Sequence, residues 1–321
     1  MPSMLYPPIA PYTSGMLAVG GGHRVYHEQC GNPEGVPLVF LHGGPGSGCS
    51  PAHRRLFDPT RFRMVFFDQR GCGRSTPRGG LHANTALHLL RDLEQLRKHL
   101  GIAQWLVVGG SWGAGLGLAY AAAYPSVCKG LLLRGVFLGR KADLDWFFHQ
   151  VRVLLPDAWQ ALVQQFPSAT ADGALASLSH AVLEGAPEEA LAAALAWEAW
   201  EACVTERRLV APRHGVAPEL ARTLVDKYRI QAHYLRHGCF GRNEGFFLKH
   251  LQRLHGIPTI LLHGRLDWVC RPIAAWEVHA RLPGSRLLWI EETGHNPFEP
   301  RMVQALATQA LALAGQDGGL A

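Results

Sequence analysis

The chain has 321 residues, of which 48% are hydrophobic, so it can bury a large core as one large domain or two smaller ones. It carries 31 basic and 25 acidic residues, a formal net charge of +6. Neither sign forms a long block, and the basic residues do not alternate with aromatic residues along a stripe. The composition therefore excludes a nucleic-acid-binding stripe, and we expect the positive charge to serve solubility.

The cysteines and the first residues of the chain indicate where the protein resides. Seven cysteines are odd in number and contain no C-x-x-C pair, which favours free thiols in a reducing compartment over disulfides or a zinc site. Residues 1–11 lack the pattern of a signal peptide, and no apolar run approaches the ~18 residues of a membrane span. We expect a cytoplasmic protein without a membrane or nucleic-acid partner, and the sequence leaves its oligomeric state open.

The first part of the chain alternates short apolar segments with helical patterns. Predicted strands span residues 38–41, 64–67, 105–108 and 130–138. Predicted helices span residues 85–100, with leucines spaced by three and four, and 114–123. This alternation is typical of an α/β protein, in which a mostly parallel central sheet is covered by helices on both faces.

The middle of the chain differs in composition from both ends. Residues 141–255 contain almost no strand signals, and their Ala-, Leu- and Trp-rich stretches, broken by prolines, predict several helices. Strand patterns return at 258–262 and 286–290, and a helical pattern follows at 303–314. We therefore predict a first core part at 1–138, an inserted all-helical cap domain at 139–256 and a second core part at 257–321.

The pentapeptide Gly109-Gly110-Ser111-Trp112-Gly113 lies between a predicted strand and a predicted helix. A G-x-S-x-G sequence in that context is typical of a nucleophile elbow, in which glycines permit a sharp turn and the serine hydroxyl projects above the sheet. A tight strand-to-helix turn with a capping serine is the alternative interpretation. The pattern nominates Ser111 as a nucleophile.

A serine nucleophile needs an adjacent base, which in turn needs an orienting acid. In the elbow architecture these follow in the order serine, acid, histidine, each on a loop after a strand. Asp267 and His295 each lie about five residues beyond one of the last two predicted strands, where loops reach the carboxyl edge of the sheet. The competing acids are Asp68, which precedes the serine, and Glu291 and Glu292, for which a solvated position is expected.

Acyl transfer also needs hydrogen-bond donors for the developing oxyanion. The backbone N–H of Trp112 is one candidate, and Gly44 in the HGGPG loop after an earlier strand is the other. We expect His42 to be a structural hydrogen-bonding residue of that loop. No carboxylate cluster indicates a metal site, and neither a metal nor a cofactor is expected.

Five segments together resemble the proline iminopeptidases, which are prolyl aminopeptidases of the α/β-hydrolase class. The segments are HGGPGSG (42–48), DQRGCGRSTP (68–77), GGSWGAGLGLAYA (109–121), RGVFLGR (134–140) and HGRLDWVC (263–270). The likeness extends from about residue 5 to about residue 310. It implies the α/β-hydrolase fold, the triad Ser111–His295–Asp267 and a peptide substrate with an N-terminal proline.

The resemblance also nominates residues that bind substrate. In the family, glutamates of the cap bind the free amine of the substrate, and one of them matches Glu201 in Trp197-Glu198-Ala199-Trp200-Glu201. The second family glutamate is replaced here by Gln231, which can accept a hydrogen bond but supplies no charge. Phe137 and Phe148 match family positions that line the proline pocket.

We therefore expect a serine hydrolase that releases N-terminal proline through an acyl-enzyme on Ser111. The substitution at Gln231 favours an alternative, in which the same triad hydrolyses an ester, a lactone or an N-blocked amide. A non-catalytic binding protein on this scaffold is disfavoured because every triad position is occupied. Dehalogenase and epoxide hydrolase chemistry is disfavoured because it needs a carboxylate at the elbow.

Overall fold

The computed structural model describes residues 5–170, 173–241 and 247–315. Residues 1–4 and 316–321 of the two predicted core parts, and residues 171–172 and 242–246 of the predicted cap, lie outside the described residues. A central sheet organises the fold. Its strands are β1 (Thr13–Gly20), β2 (His23–Gly31), β3 (Val36–Leu41), β4 (Phe62–Phe67), β5 (Trp105–Gly110), β6 (Cys128–Arg134), β7 (Thr259–Gly264) and β8 (Arg286–Ile290).

The eight strands form one sheet in the order β1-β2-β4-β3-β5-β6-β7-β8. β1 pairs with β2 and β2 with β4 in antiparallel fashion, while every pairing from β4 to β8 is parallel. The carboxyl ends of β3, β5, β6, β7 and β8 therefore meet at one edge, where loops that carry chemistry are found in open α/β sheets.

The α-helices fall into two groups, those that cover the sheet and those inserted between β6 and β7. The covering helices are α1 (Ala86–His99), α2 (Trp112–Ala123), α8 (Pro272–Arg281) and α9 (Pro300–Ala314). The inserted helices are α3 (Lys141–Asp145), α4 (Pro156–Gln165), α5 (Ala174–Glu184), α6 (Pro187–Glu206) and α7 (Pro218–Arg236). In the described ranges no helix is both long and apolar enough to cross a membrane.

The side chains of the central strands alternate between two apolar cores. Val39, Val65 and Val107 belong to the core shared with α1, α2 and the inserted helices. Their neighbours Phe40 and Phe66 face the opposite core, which α9 covers. Both faces of the sheet are thus buried, as expected for parallel strands that read as continuous apolar runs.

The structure corrects two details of the sequence prediction. β1 and β2 form an antiparallel edge hairpin that the apolar patterns did not indicate. The strand predicted over residues 130–138 ends at Arg134, because Gly135 has a φ of 51° and turns the chain away from the sheet. The inserted helices lie between β6 and β7, within the predicted limits 139–256, and the division into core and cap domains stays a prediction.

A buried ion pair connects α1 to the loop that follows β4. The Arg70 guanidinium donates to both carboxylate oxygens of Asp92 at 2.6 and 2.7 Å, and these side chains are 2% and 0% exposed. Arg70 also donates to the carbonyl oxygens of Val19 and Ala83, so it joins four segments. A buried charge that loses its partner is strongly destabilising, because the remaining ion stays out of water.

We predict that Asp92→Leu lowers the free energy of unfolding by about 3–5 kcal/mol, since it leaves the Arg70 charge unpaired. The double substitution Arg70→Met with Asp92→Leu should recover much of that loss, because both charges are then removed. Urea titration of the two variants and the parent measures this difference. A double variant no more stable than Asp92→Leu would contradict the account.

Candidate active site

The turn between β5 and α2 places Ser111 above the carboxyl edge of the sheet. Its backbone has φ 57° and ψ −122°, a conformation that costs free energy for a residue with a side chain. The flanking glycines make room for it: a Cβ at Gly109 would overlap the carbonyl oxygen of Gly113, and one at Gly113 would overlap that of Leu41. This geometry is that of a nucleophile elbow.

The loops after β7 and β8 bring Asp267 and His295 together next to Ser111. His295 Nδ1 lies 2.7 Å from Asp267 Oδ2. The other oxygen, Oδ1, accepts the backbone N–H groups of Val269 and Cys270 at 3.0 and 2.8 Å. Burial raises the pKa of Asp267, but His295, His263 and the Cys270 amide outweigh it and hold the pKa below its usual value. The carboxylate therefore stays ionised at neutral pH and can orient the imidazole.

Ser111 and His295 line the same cavity, and the serine hydroxyl lies 3.7 Å from the Cys270 sulfur. Proton transfer to His295 requires a hydrogen bond from the hydroxyl to Nε2, and such bonds are often long in free enzymes and tighten when substrate binds. Burial raises the pKa of Cys270 well above its usual value, with a further contribution from Asp267. The thiol therefore stays protonated beside the serine.

Gly44 and Trp112 are the residues whose N–H groups the sequence nominates for an oxyanion hole. Gly44 lines the cavity with a φ of 117°, and a Cβ there would overlap the amide nitrogen of Gly46. Trp112 is the first residue of α2, so its N–H has no acceptor within the helix. Gly44 thus shares the cavity with Ser111, and Trp112 directly follows it in the chain.

Gln69 connects the loop after β3 with the first residue of α2. Its Nε2 donates to His42 O at 2.9 Å, and its Oε1 accepts from Trp112 Nε1 at 2.8 Å. Its backbone N–H donates to His42 Nε2 at 3.0 Å, and the Gly48 N–H points at His42 Nδ1 at 3.1 Å, so backbone groups hold both ring nitrogens. Burial lowers the pKa of His42, which keeps the ring neutral. His42 thus has the structural geometry that the sequence suggested.

The three competing acids lie away from the imidazole. Asp68 accepts from the Cys49 amide at 2.7 Å and from Arg74 Nε at 2.8 Å, so it braces the loop after β4. The side chains of Glu291 and Glu292 are 62% and 76% exposed and pair with surface arginines.

Aromatic and aliphatic side chains enclose the space in front of Ser111. The cavity has a volume of about 230 Å³, below the range of about 300–1,000 Å³ typical of drug-sized ligands. Its apolar wall consists of Phe137, Leu144, Phe147, Phe148, Leu235 and Val269. The size and lining suit one small apolar residue.

Helix α6 supports this wall and carries a carboxylate beside it. Trp197 packs edge-on against Phe148 with ring centres 5.4 Å apart, and Trp200 Nε1 donates to Phe147 O at 3.1 Å. One residue later Glu201 lines the cavity, and Gln231 from α7 lines it too. The structure thus brings together all four residues that the resemblance nominated for substrate binding: Phe137, Phe148, Glu201 and Gln231.

The carboxylate of Glu201 is held by three donors. Lys227 Nζ and Tyr228 Oη donate to Oε2 at 2.9 and 2.7 Å, and Gln231 Nε2 donates to Oε1 at 2.6 Å. Burial raises the pKa of Glu201, but the Lys227 charge and these hydrogen bonds outweigh it and hold the pKa below its usual value. Glu201 is therefore ionised at neutral pH.

Sequence reasoning missed several residues of the cavity. Arg134 is 8% exposed, lines the cavity and donates to the carbonyl oxygen of His295. Phe147, Thr205 and Cys270 also line it. The position of Arg134 at the carboxyl end of β6, beside the elbow strand, is a signal that could have found it.

Gly135 offers a test of the acid–base pair. We predict that Gly135→Ala lowers kcat at least about tenfold, because the new Cβ would lie 3.0 Å from Asp267 Oδ2 and 3.2 Å from His295 Nδ1. Gly101→Ala is the matched control: its φ of 65° imposes similar backbone strain, yet nothing lies within 4 Å of the added carbon. Steady-state kinetics and melting temperatures are measured for both. Equal losses of kcat in the two variants would contradict the prediction.

Comparison with known proteins places this site in a family. Residues 36–301 match the model of the alpha/beta hydrolase fold. The chain is 42% identical to a proline iminopeptidase of Xanthomonas citri, with 94% of this chain and 96% of the relative covered. It is 40% identical to the proline iminopeptidase of Arabidopsis thaliana, covering 92% and 78%.

A solved structure, that of a proline iminopeptidase-related protein from Thermus thermophilus, has the same fold. It aligns over 94% of this chain and 98% of its own with a TM-score of 0.57 and 24% identity. The predicted fold class is therefore confirmed. On the strength of the sequence identities, the chain belongs to the proline iminopeptidase family of α/β hydrolases.

Proposed function

We propose that this protein is a serine aminopeptidase that releases N-terminal proline from peptides. The observation that carries the proposal is that Ser111, His295 and Glu201 line one small cavity with an aromatic wall, while Asp267 holds the His295 ring. The names of its relatives support the same substrate class. The free thiols among the described residues are consistent with the expected cytoplasmic location.

In the proposed reaction, Ser111 Oγ attacks the prolyl carbonyl carbon while His295 Nε2 removes its proton. The N–H groups of Gly44 and Trp112 stabilise the oxyanion, and losing one such donor typically costs about 3 kcal/mol of barrier. Asp267 keeps the imidazole in the required tautomer and stabilises its charged form. His295 then protonates the leaving amine, and water, activated by the same histidine, hydrolyses the acyl-enzyme.

The lining of the cavity favours a substrate residue that is apolar and that lies at the N-terminus of the peptide. The aromatic wall of Phe137, Phe147 and Phe148 can pack against the pyrrolidine ring of proline, which is an apolar surface. Glu201 and Gln231 lie in the same cavity, where they can accept hydrogen bonds from the amine of that ring. A longer chain on the amine side would have to displace these polar groups, so the arrangement favours an exopeptidase.

The alternative is a hydrolase of esters, lactones or N-blocked amides with the same triad. Gln231 favours it, because an amide at this position supplies no charge to hold a substrate ammonium group. Both functions use Ser111 in the same way and differ only in whether the amine is recognised.

A pair of arylamides distinguishes the two functions. L-Prolyl arylamide carries a ring amine, and cyclopentanecarbonyl arylamide has the same shape with a carbon in its place. We predict that the wild type prefers the prolyl compound and that Ser111→Ala abolishes hydrolysis of both. Glu201→Gln should lower kcat/KM for the prolyl compound more than about tenfold, because the carboxylate that balances the nearby Lys227 charge is then lost.

Glu198→Gln is the matched control for that variant, since Glu198 is on the same helix but pairs with Arg213. It should keep the wild-type preference. Equal turnover of the two arylamides by the wild type would refute the aminopeptidase assignment and support the alternative.

A further inference from the structure

A positive charge is in contact with the Glu201 carboxylate before any substrate binds. Lys227 Nζ lies 2.9 Å from Glu201 Oε2 and 3.0 Å from Tyr228 Oη, and 4.4 Å from the centre of the Tyr228 ring. Glu201 and Lys227 are both one-quarter exposed, so the pair is partly shielded from water. The ammonium group is thus held in one place by a carboxylate, a phenol and an aromatic face.

The charges of this cluster sum to zero. Glu201 contributes one negative charge, Lys227 one positive charge, and Gln231 and Tyr228 none, because burial and Glu201 raise the pKa of the phenol well above its usual value. At the distance of a bound substrate amine, a carboxylate with an ammonium group in hydrogen-bond contact acts as a dipole and not as a net charge. Arg134, which lines the same cavity, adds a further positive charge.

The hydrogen-bonding capacity of the cluster points the same way. Three donors already occupy Glu201. Because Gln231 Nε2 donates to Glu201, its Oε1 is fixed as the outer atom of the amide, and this buried oxygen has no hydrogen-bond partner. It can accept a hydrogen bond from one N–H of a substrate. Because the amide oxygen is neutral, it can bind an uncharged secondary amine as well as a charged one.

We propose that Lys227 is a specificity-determining residue. By neutralising Glu201 it weakens the selection of a charged amine, so the enzyme discriminates less between charged and uncharged substrates than it would with no positive charge beside Glu201. This inference rests on the proposed function, since it concerns how the same amine is recognised. It assigns to Lys227 an effect on substrate choice, exerted through Glu201, and no part in the chemical steps.

The test measures kcat/KM at pH 7 for the prolyl and cyclopentanecarbonyl arylamides. An α-amine with a pKa of about 8 is mostly charged at that pH. Lys227→Met, which removes the charge and keeps the length of the side chain, should raise the ratio of prolyl to cyclopentanecarbonyl kcat/KM about tenfold, chiefly through a lower KM for the prolyl compound. Lys227→Arg, which keeps the positive charge, should retain the wild-type ratio.

Lys98→Met is the matched control, because Lys98 is a 69% exposed lysine on α1 that also pairs with a glutamate. Lys227→Gln is a second neutral variant, and melting temperatures verify that each protein is folded. A ratio that stays constant or falls in both neutral variants would overturn the assignment of Lys227 while leaving the proposed function intact. Failure of the wild type to cleave the prolyl arylamide would refute the proposed function itself, and the assignment of Lys227 with it.

Discussion

The close approach of the nucleophile turn to the end of β3 is the constraint on which the rest of the site depends. With no Cβ at Gly113, the start of α2 packs directly against the carbonyl oxygen of Leu41. That contact places the loop after β3 beside the nucleophile turn, so that Gly44 and Ser111 line the same cavity. Gln69 then locks both parts through hydrogen bonds to His42 and to the Trp112 indole. Preorganised donors of this kind need no rearrangement during reaction.

The two carboxylates Asp267 and Glu201 have different hydrogen-bond partners, and these partners determine what each charge acts on. Asp267 is bonded by two backbone amides and by His295, so its charge acts on the imidazole. Glu201 accepts hydrogen bonds from Lys227, Tyr228 and Gln231, so its negative charge is largely balanced by groups on the inserted helices. Asp267 follows β7, whereas Glu201 is on the inserted helix α6. In the proposed function, catalysis therefore depends on the sheet edge and substrate choice on pairs of side chains from the inserted helices.

The parts of the site that depend on local sequence could be predicted, and those that depend on tertiary contacts could not. The elbow follows from glycine spacing between a strand and a helix, and Asp267 and His295 follow from their places after strands. Lys227 and Glu201 lie on separate helices, so no spacing rule joins them. Phe147 and Phe148 both line the cavity because residues Trp146–Gln150 form a π-helical turn. No pattern in the sequence predicts this departure from a regular helix. The β1–β2 hairpin escaped prediction because its strands mix polar residues and glycine with few β-branched ones.

The central claim is that hydrolysis proceeds through a prolyl ester on Ser111. Rapid acid quenching of the enzyme during turnover of a prolyl ester, followed by peptide mass spectrometry, measures that intermediate directly. We predict a mass increase of one prolyl group on the peptide that contains Ser111, and its absence in Ser111→Ala. Turnover without any adduct in the wild type, or an adduct confined to another residue, would contradict the account.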